Sequence, residues 1–210
     1  MKTEEELIWE SYNNKQIINN PNFKKWFGDS KVVDKSGVPL IVYHAGSFDG
    51  EDGTPMQNMH FGTEDAALAR LKSREADDFY DSVYVIKTED GYVWKTYYQT
   101  SKTFPSKELA EKAIEDEMDR IFEYYEPVEG SYEMTQAYLC IEEPKRVKDN
   151  DNNWSEEIRQ ARDEGYDGIV YENEFEDVGS DSYIVFEPTQ IKSATANNGS
   201  FNSSDPNITR

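Results

Sequence analysis

Residues 42–47 read VYHAGS, and MHFGT follows at residues 59–63. His44 and His60 are the only histidines of the chain, and each stands at the edge of a short apolar segment with a glycine close behind it. LIVYH, at 40–44, is rich in β-branched residues and reads as a buried strand; MHF reads as a shorter one. Between them lies a glycine-rich acidic loop, AGSFDGEDGTP. Thr63 then caps a helix over 63–75, with Glu64 and Asp65 at the positive end of its dipole and Ala67, Leu68 and Leu71 on its inner stripe.

Upstream of this pair, PNFKKWFG gives a helical piece around Phe23, Trp26 and Phe27, followed by a turn at DKSG. EEELIWESY, within residues 1–20, is a short amphipathic element. Downstream, SVYVIKT and GYVWKTYYQT read as two strands joined at EDG. Ser106 opens the longest helix, running to about Tyr125, with Leu109, Ala113, Ile114, Met118, Ile121, Phe122 and Tyr125 facing inward. QAYLCIEEP is a strand. WSEEIRQARDEGYDG is a helix capped by Ser155 and stopped at Gly165, and GIVYE and SYIVFEP are two further strands. From residue 193 the chain is polar, turn-rich and expected to be loose. Several strands lack the intervening helices that parallel crossovers need, so the reading is α+β with mostly antiparallel strands.

The net charge is −21. Such a chain repels phosphate backbones, which argues against a nucleic-acid binder built on a basic patch and favours a soluble monomer. Fourteen Tyr, ten Phe and four Trp supply a core that 36% apolar residues alone would leave thin. Cys140 is the single cysteine, so there is no disulfide framework and no cysteine-based zinc site. MKTEEELIWE has no signal-type apolar region and no run has the length of a membrane span, so no membrane partner is expected and the expected setting is cytoplasmic.

Taken singly, each histidine reads as a strand-end residue with one satisfied hydrogen bond. As a pair they fit an acid–base couple of the ribonuclease kind, but their surroundings (Asp49, Glu51, Asp52, Glu64, Asp65) are anionic where a phosphate would need cations. No metal spacing is present. EGYDGIVYENE reads as a helix end and a strand leading to an acidic loop. In SDSYIVFEPTQIKSA a buried strand is flanked by Asp181, Ser182 and Gln190.

The order of these three segments resembles the ADP-ribosyltransferase fold, in the His-Tyr-Glu branch shared by diphtheria toxin and the poly(ADP-ribose) polymerases. It is most similar to the ADP-ribosyltransferase-like domains of phage polyvalent proteins. The stretches that carry the likeness are WFGDSKVVDKSGVPLIVYHAG, GYDGIVYEN and YIVFEPTQIKSATANNGSFNSSDPNI, covering residues 20–87 and 136–208. The resemblance implies two packed, mostly antiparallel sheets with flanking helices. It divides the chain into an extension at 1–20, one domain at 21–192 with an insertion at 88–135, and a polar tail at 193–210.

By that resemblance NAD is the co-substrate and no metal is needed. His44 would bond a ribose hydroxyl of NAD, the backbone of Ala45 would hold the nicotinamide amide, and Gly46 and Ser47 would shape the turn. His60, beside Phe61, stands where the family places a tyrosine against the nicotinamide, so both histidines would face one pocket. Gln190 is a further cofactor contact. The family's catalytic glutamate falls on Ser182, which supplies no charge; Asp181, Glu187, Gln190 or an acid from the 172–177 loop would have to substitute, with Asp181 or the loop preferred. The implied function is transfer of ADP-ribose from NAD to a macromolecule, a host protein, with release of nicotinamide. The implied place is the host-cell cytoplasm, or the virion. A transferase fold that acts as an inactive binding or decoy module through its acidic surface is the alternative, and a two-histidine nuclease is the third reading.

Overall fold

The computed structural model describes residues 13–50, 52–125, 134–149 and 154–210. The amphipathic element expected near the start of the chain lies outside these residues. The fold is α+β, in two units: Met1–Ala67 with Tyr132–Arg210, and Leu68–Ser131. The second unit therefore begins twenty residues before the insertion expected from the sequence.

In the first unit, residues 13–19 are helical and lead to α1 (Pro21–Phe27). Asn20 caps α1 by accepting from the Asn22 N–H, Pro21 needs no partner in the first turn, and Gly28 ends the helix at φ 54°. Two sheets follow. One has the order β1-β5-β9, from β1 (Val42–Ala45), β5 (Met134–Leu139) and β9 (Ile191–Ser193). The other has the order β2-β8-β7-β6, from β2 (Met59–Phe61), β6 (Pro144–Lys148), β7 (Gly168–Glu172) and β8 (Asp181–Val185). All pairs are antiparallel except β6 with β7, which α4 (Trp154–Asp163) connects.

Alternation along each strand divides the apolar side chains among three layers. Val42, Ala137, Leu139 and Ile191 from one sheet meet Met59, Phe61, Val170, Tyr183 and Val185 from the other in a shared core. Phe23, Trp26 and Phe27 of α1 cover the outer face of the first sheet, together with Tyr138 and Phe201. Ile158 and Ala161 of α4 cover the outer face of the second, against Ile169, Tyr171, Ile184 and Phe186. Fully burying one such side chain stabilises the fold by about 1.5–3 kcal/mol.

Three expectations need correction. The strand β6, PKRVK, was not anticipated: its charges hide it, and they are tolerated because it is the edge of its sheet. Ser155 lies inside α4 rather than before it. The tail is docked, not loose. Phe201 is buried between Phe23 and Trp26, the Ser193 N–H bonds the Ile208 carbonyl, and fully buried Lys192 donates through Nζ to the carbonyls of Asp205 and Asn207.

α2 (Glu64–Ser82) runs past the expected end at residue 75, and its first turn belongs to the first unit. Within the second unit its Phe79 meets Trp94 edge-on at 5.5 Å, which gives the extra turns an apolar footing. There β3 (Tyr84–Thr88) and β4 (Gly91–Lys95) form a hairpin, and Ser106 caps α3 (Lys107–Tyr124). Of the expected inner stripe of α3, Ile114 is buried, while Leu109 and Phe122 are exposed.

Candidate active site

β1 and β2 touch at a single ladder pair. The Tyr43 N–H bonds the Gly62 carbonyl at 2.8 Å, and the Gly62 N–H bonds the Tyr43 carbonyl at 3.0 Å. Peptide groups alternate in direction along an antiparallel strand. Val42 and His44 therefore bond toward β5, whereas Tyr43 and Ala45 point toward β2. Past that pair the ladder stops, because β1 continues on β5 and β2 continues on β8. The N–H and C=O of Ala45 thus face a split between the sheets and have no hydrogen bond among the described residues. Gly46, at φ 129°, then turns the chain in a conformation that favours glycine, and Ser47 closes the turn by bonding Asp49 through its hydroxyl.

His44 is fixed beside this split. Its Nδ1 lies 2.7 Å from the backbone carbonyl oxygen of His60. A carbonyl only accepts, so Nδ1 carries the proton and Nε2 is the acceptor nitrogen of the neutral ring. The ring packs against Phe48 and Phe61, with centroids at 5.1 and 5.2 Å.

His60 contributes its backbone here, not its ring. Met59 and Phe61 enter the shared core, so the residue between them projects from the opposite face. There the imidazole meets Trp154 at 5.3 Å and Tyr171 at 6.1 Å, and Nδ1 lies 3.3 Å from the Tyr171 hydroxyl. The expectation that both histidine rings face one pocket is therefore corrected. Phe61 is the residue of this motif whose ring joins His44. A ribonuclease-like pair, with two imidazoles converging on one phosphate, is not formed.

Ser182, on which the resemblance would place the family's glutamate, is 2% exposed and shares its sheet face with Ile184 and His60. Gly62 packs onto it so closely that an added Cβ would lie 3.0 Å from the Ser182 hydroxyl. That hydroxyl accepts from Asn173 Nδ2 at 3.2 Å. Sequence reasoning passed over Asn173, which organises the acidic loop. Its Oδ1 accepts the N–H groups of Phe175, Glu176 and Asp177, and its Nδ2 also donates to Glu176 Oε2 at 2.9 Å. The signal was an asparagine at the end of a strand leading into a turn, where side-chain-to-backbone bonds are the rule. Burial, then the nearby Glu176 carboxylate, push the Tyr171 phenol pKa far above its usual value, while a bond with Ser182 opposes them. The loop is also tied to α2, since Thr63 Oγ1 donates to Asp177 Oδ2 at 2.6 Å and accepts the Ala66 N–H.

Asp181 projects from the other face of β8, on the side of Tyr183 and Val185, and its two oxygens accept from both terminal nitrogens of Arg146 at 2.9 Å. This pair holds the Arg146 guanidinium pKa above its ordinary value. The side chain of Gln190, expected as a cofactor contact, is engaged within the fold. Its Oε1 accepts the N–H groups of Phe186 and Glu187, and its Nε2 donates to the carbonyls of Cys140 and Asp167. That engages the whole amide in joining the turn at 188–190 to its neighbours.

These features, a split strand pair, a tethered histidine and an unpaired peptide edge after it, sit inside a recognised sequence span. The family model described as ADP-ribosyltransferase in polyvalent proteins matches residues 34–201. The chain belongs to this family. No curated protein and no solved structure matches it. ADP-ribosyltransferases take NAD as co-substrate and deliver its ADP-ribose, so the site calls for a dinucleotide and an acceptor. Among the described residues no group of three or more His, Cys, Asp or Glu side chains is placed to hold a metal ion. No helix among them is long and apolar enough to cross a membrane.

Proposed function

We propose that this phage-type domain cleaves nicotinamide from NAD and transfers ADP-ribose to a macromolecular acceptor, a protein of the host. The observation that carries the reading is the Ala45 peptide edge. One donor and one acceptor, unpaired and adjacent in the split, match the C=O and NH₂ of a carboxamide. Beside it, the bond to the His60 carbonyl orients His44 Nε2 to accept from a ribose hydroxyl, and Phe61 supports that ring from the core side. The turn at Gly46 and Ser47 keeps the edge accessible. The −21 charge favours a protein over a nucleic acid as acceptor, and the acceptor places the work in the host cytoplasm.

A second reading is a binding or decoy module that keeps the fold without turnover. Ser182 favours it, because a buried hydroxyl bonded to Asn173 supplies no charge to an oxocarbenium-like centre. Proton NMR of NAD with the purified protein, following free nicotinamide, separates the two. Release by the parent protein and its loss in His44→Ala support the transferase. Broadened NAD signals without release support the binding module, and the absence of both release and broadening would overturn NAD as the ligand.

A further inference from the structure

We propose that a groove of about 580 Å³ in the second unit is a docking site for an arginine-bearing segment of a partner protein. It shares no residue with the candidate active site and does not depend on NAD. Three elements line it. The later turns of α2 contribute Glu75 and Asp78, the turn after β4 contributes Tyr97 and Tyr98, and the end of α3 contributes Arg120 and Tyr124. Tyr97 and Tyr98 are 88% and 89% exposed, and their rings meet edge-on at 4.9 Å to form one patch. The backbone beneath them is held. The Thr96 N–H bonds the Gln99 carbonyl at 3.0 Å, and Thr96 Oγ1 accepts the N–H groups of Tyr98 and Gln99. Rings so exposed contribute little to a core, and a joined aromatic patch on a fixed turn is the mark of a binding surface.

Charge names the occupant. Glu75 and Asp78 are exposed on one face of α2 and take part in no ion pair among the described residues. The one cation that lines the groove, Arg120, is already held by both oxygens of Glu117. The groove therefore offers free carboxylates beside electron-rich ring faces. A cation gains from both, by pairing with the carboxylates and by lying over the rings. A guanidinium fits better than an ammonium, because its plane stacks on a ring while its fork of N–H groups bonds a carboxylate. The volume is that of sites that take up a whole ligand, which suits a peptide segment. Nucleic acid would be repelled.

The test is calorimetric titration of the full chain, at low salt and without NAD, with a peptide of arginines separated by glycines. Saturable binding is expected, tighter than for the lysine counterpart. Tyr97→Ser combined with Tyr98→Ser should weaken it about 5–30-fold, the loss of two exposed cation–π contacts. Glu75→Gln combined with Asp78→Asn should weaken it about 2–30-fold. Glu115→Gln combined with Asp119→Asn removes the same charge from the opposite side of α3 and should change it less than about twofold. All these side chains are exposed, so the denaturation midpoints should match the parent's. Undiminished binding in the tyrosine pair, or an equal loss in the Glu115 and Asp119 pair, would reduce the effect to net charge and overturn the proposal. Equal affinity for the lysine peptide, or no saturable binding by the parent, would overturn it as well. Each of these results leaves the NAD reading untouched.

Discussion

Nδ1 of His44 donates to the backbone carbonyl of His60 across 2.7 Å, so the two histidines are joined through one ring and one peptide group. The consequence is an asymmetry between two substitutions. His44→Ala removes the nitrogen presented to the ribose and should cut nicotinamide release at least as strongly as loss of a general acid or base, about 10²-fold or more. His60→Ala keeps the carbonyl, so release should fall far less, although contacts to Trp154 and Tyr171 are lost. Parallel NMR time courses check this. Equal losses would return the site to a two-histidine acid–base mechanism.

Gly62 is expected to be intolerant of any side chain. A Cβ there would meet the Ser182 hydroxyl at 3.0 Å and the Ala66 Cβ at 3.1 Å, and both neighbours sit on regular elements that cannot withdraw freely. Gly62→Ala should destabilise the protein by about 1–3 kcal/mol, as overpacking does, and lower the denaturation midpoint without altering the slope. Chemical denaturation measures both quantities.

What the sequence disclosed and what it hid follow from the same physics. Asn20, Pro21 and Gly28 bracket α1, and the β-branched run before His44 marks β1, because local chemistry decides those elements. Placing His60 outward was within reach of period-two alternation, since Met59 and Phe61 are both apolar, whereas the resemblance implied an inward histidine ring. PKRVK was hidden because its strand state comes from pairing with β7 across the α4 connection, not from its own propensity. The tail looked loose because its polar residues satisfy turns, while the two groups that anchor it, Phe201 and Lys192, are single residues far apart in the pattern. Asn173 passed unnoticed among more conspicuous acids.

Lys192 provides a pH test of the tail. Burial lowers its ammonium pKa below the ordinary value of 10.5. The unfolded chain then binds the proton more tightly than the folded one, so this residue's contribution to stability rises as pH climbs from the lowered folded value toward 10.5. In Lys192→Met the carbonyls of Asp205 and Asn207 lose their donor, at a cost of about 1–3 kcal/mol. The stability gap between parent and variant should widen from neutral pH to pH about 10, close to the unfolded lysine pKa. Denaturation curves at several pH values record it, and a gap that narrows would contradict the direction.

Asn173 anchors the acidic loop through its side-chain amide. Asn173→Ala removes an acceptor from three N–H groups and a donor from Glu176, and should destabilise the protein by about 1–3 kcal/mol. Asn173→Asp keeps the acceptor oxygen, so the N–H groups of residues 175–177 stay bonded and most of the stability should return. Its second oxygen cannot donate, and it repels the Glu176 carboxylate that the amide had held. The denaturation midpoint of Asn173→Asp should therefore fall between those of the parent and Asn173→Ala. A midpoint for Asn173→Asp no higher than that of Asn173→Ala would show that the bonds to the N–H groups of residues 175–177 do not carry the loop's stability.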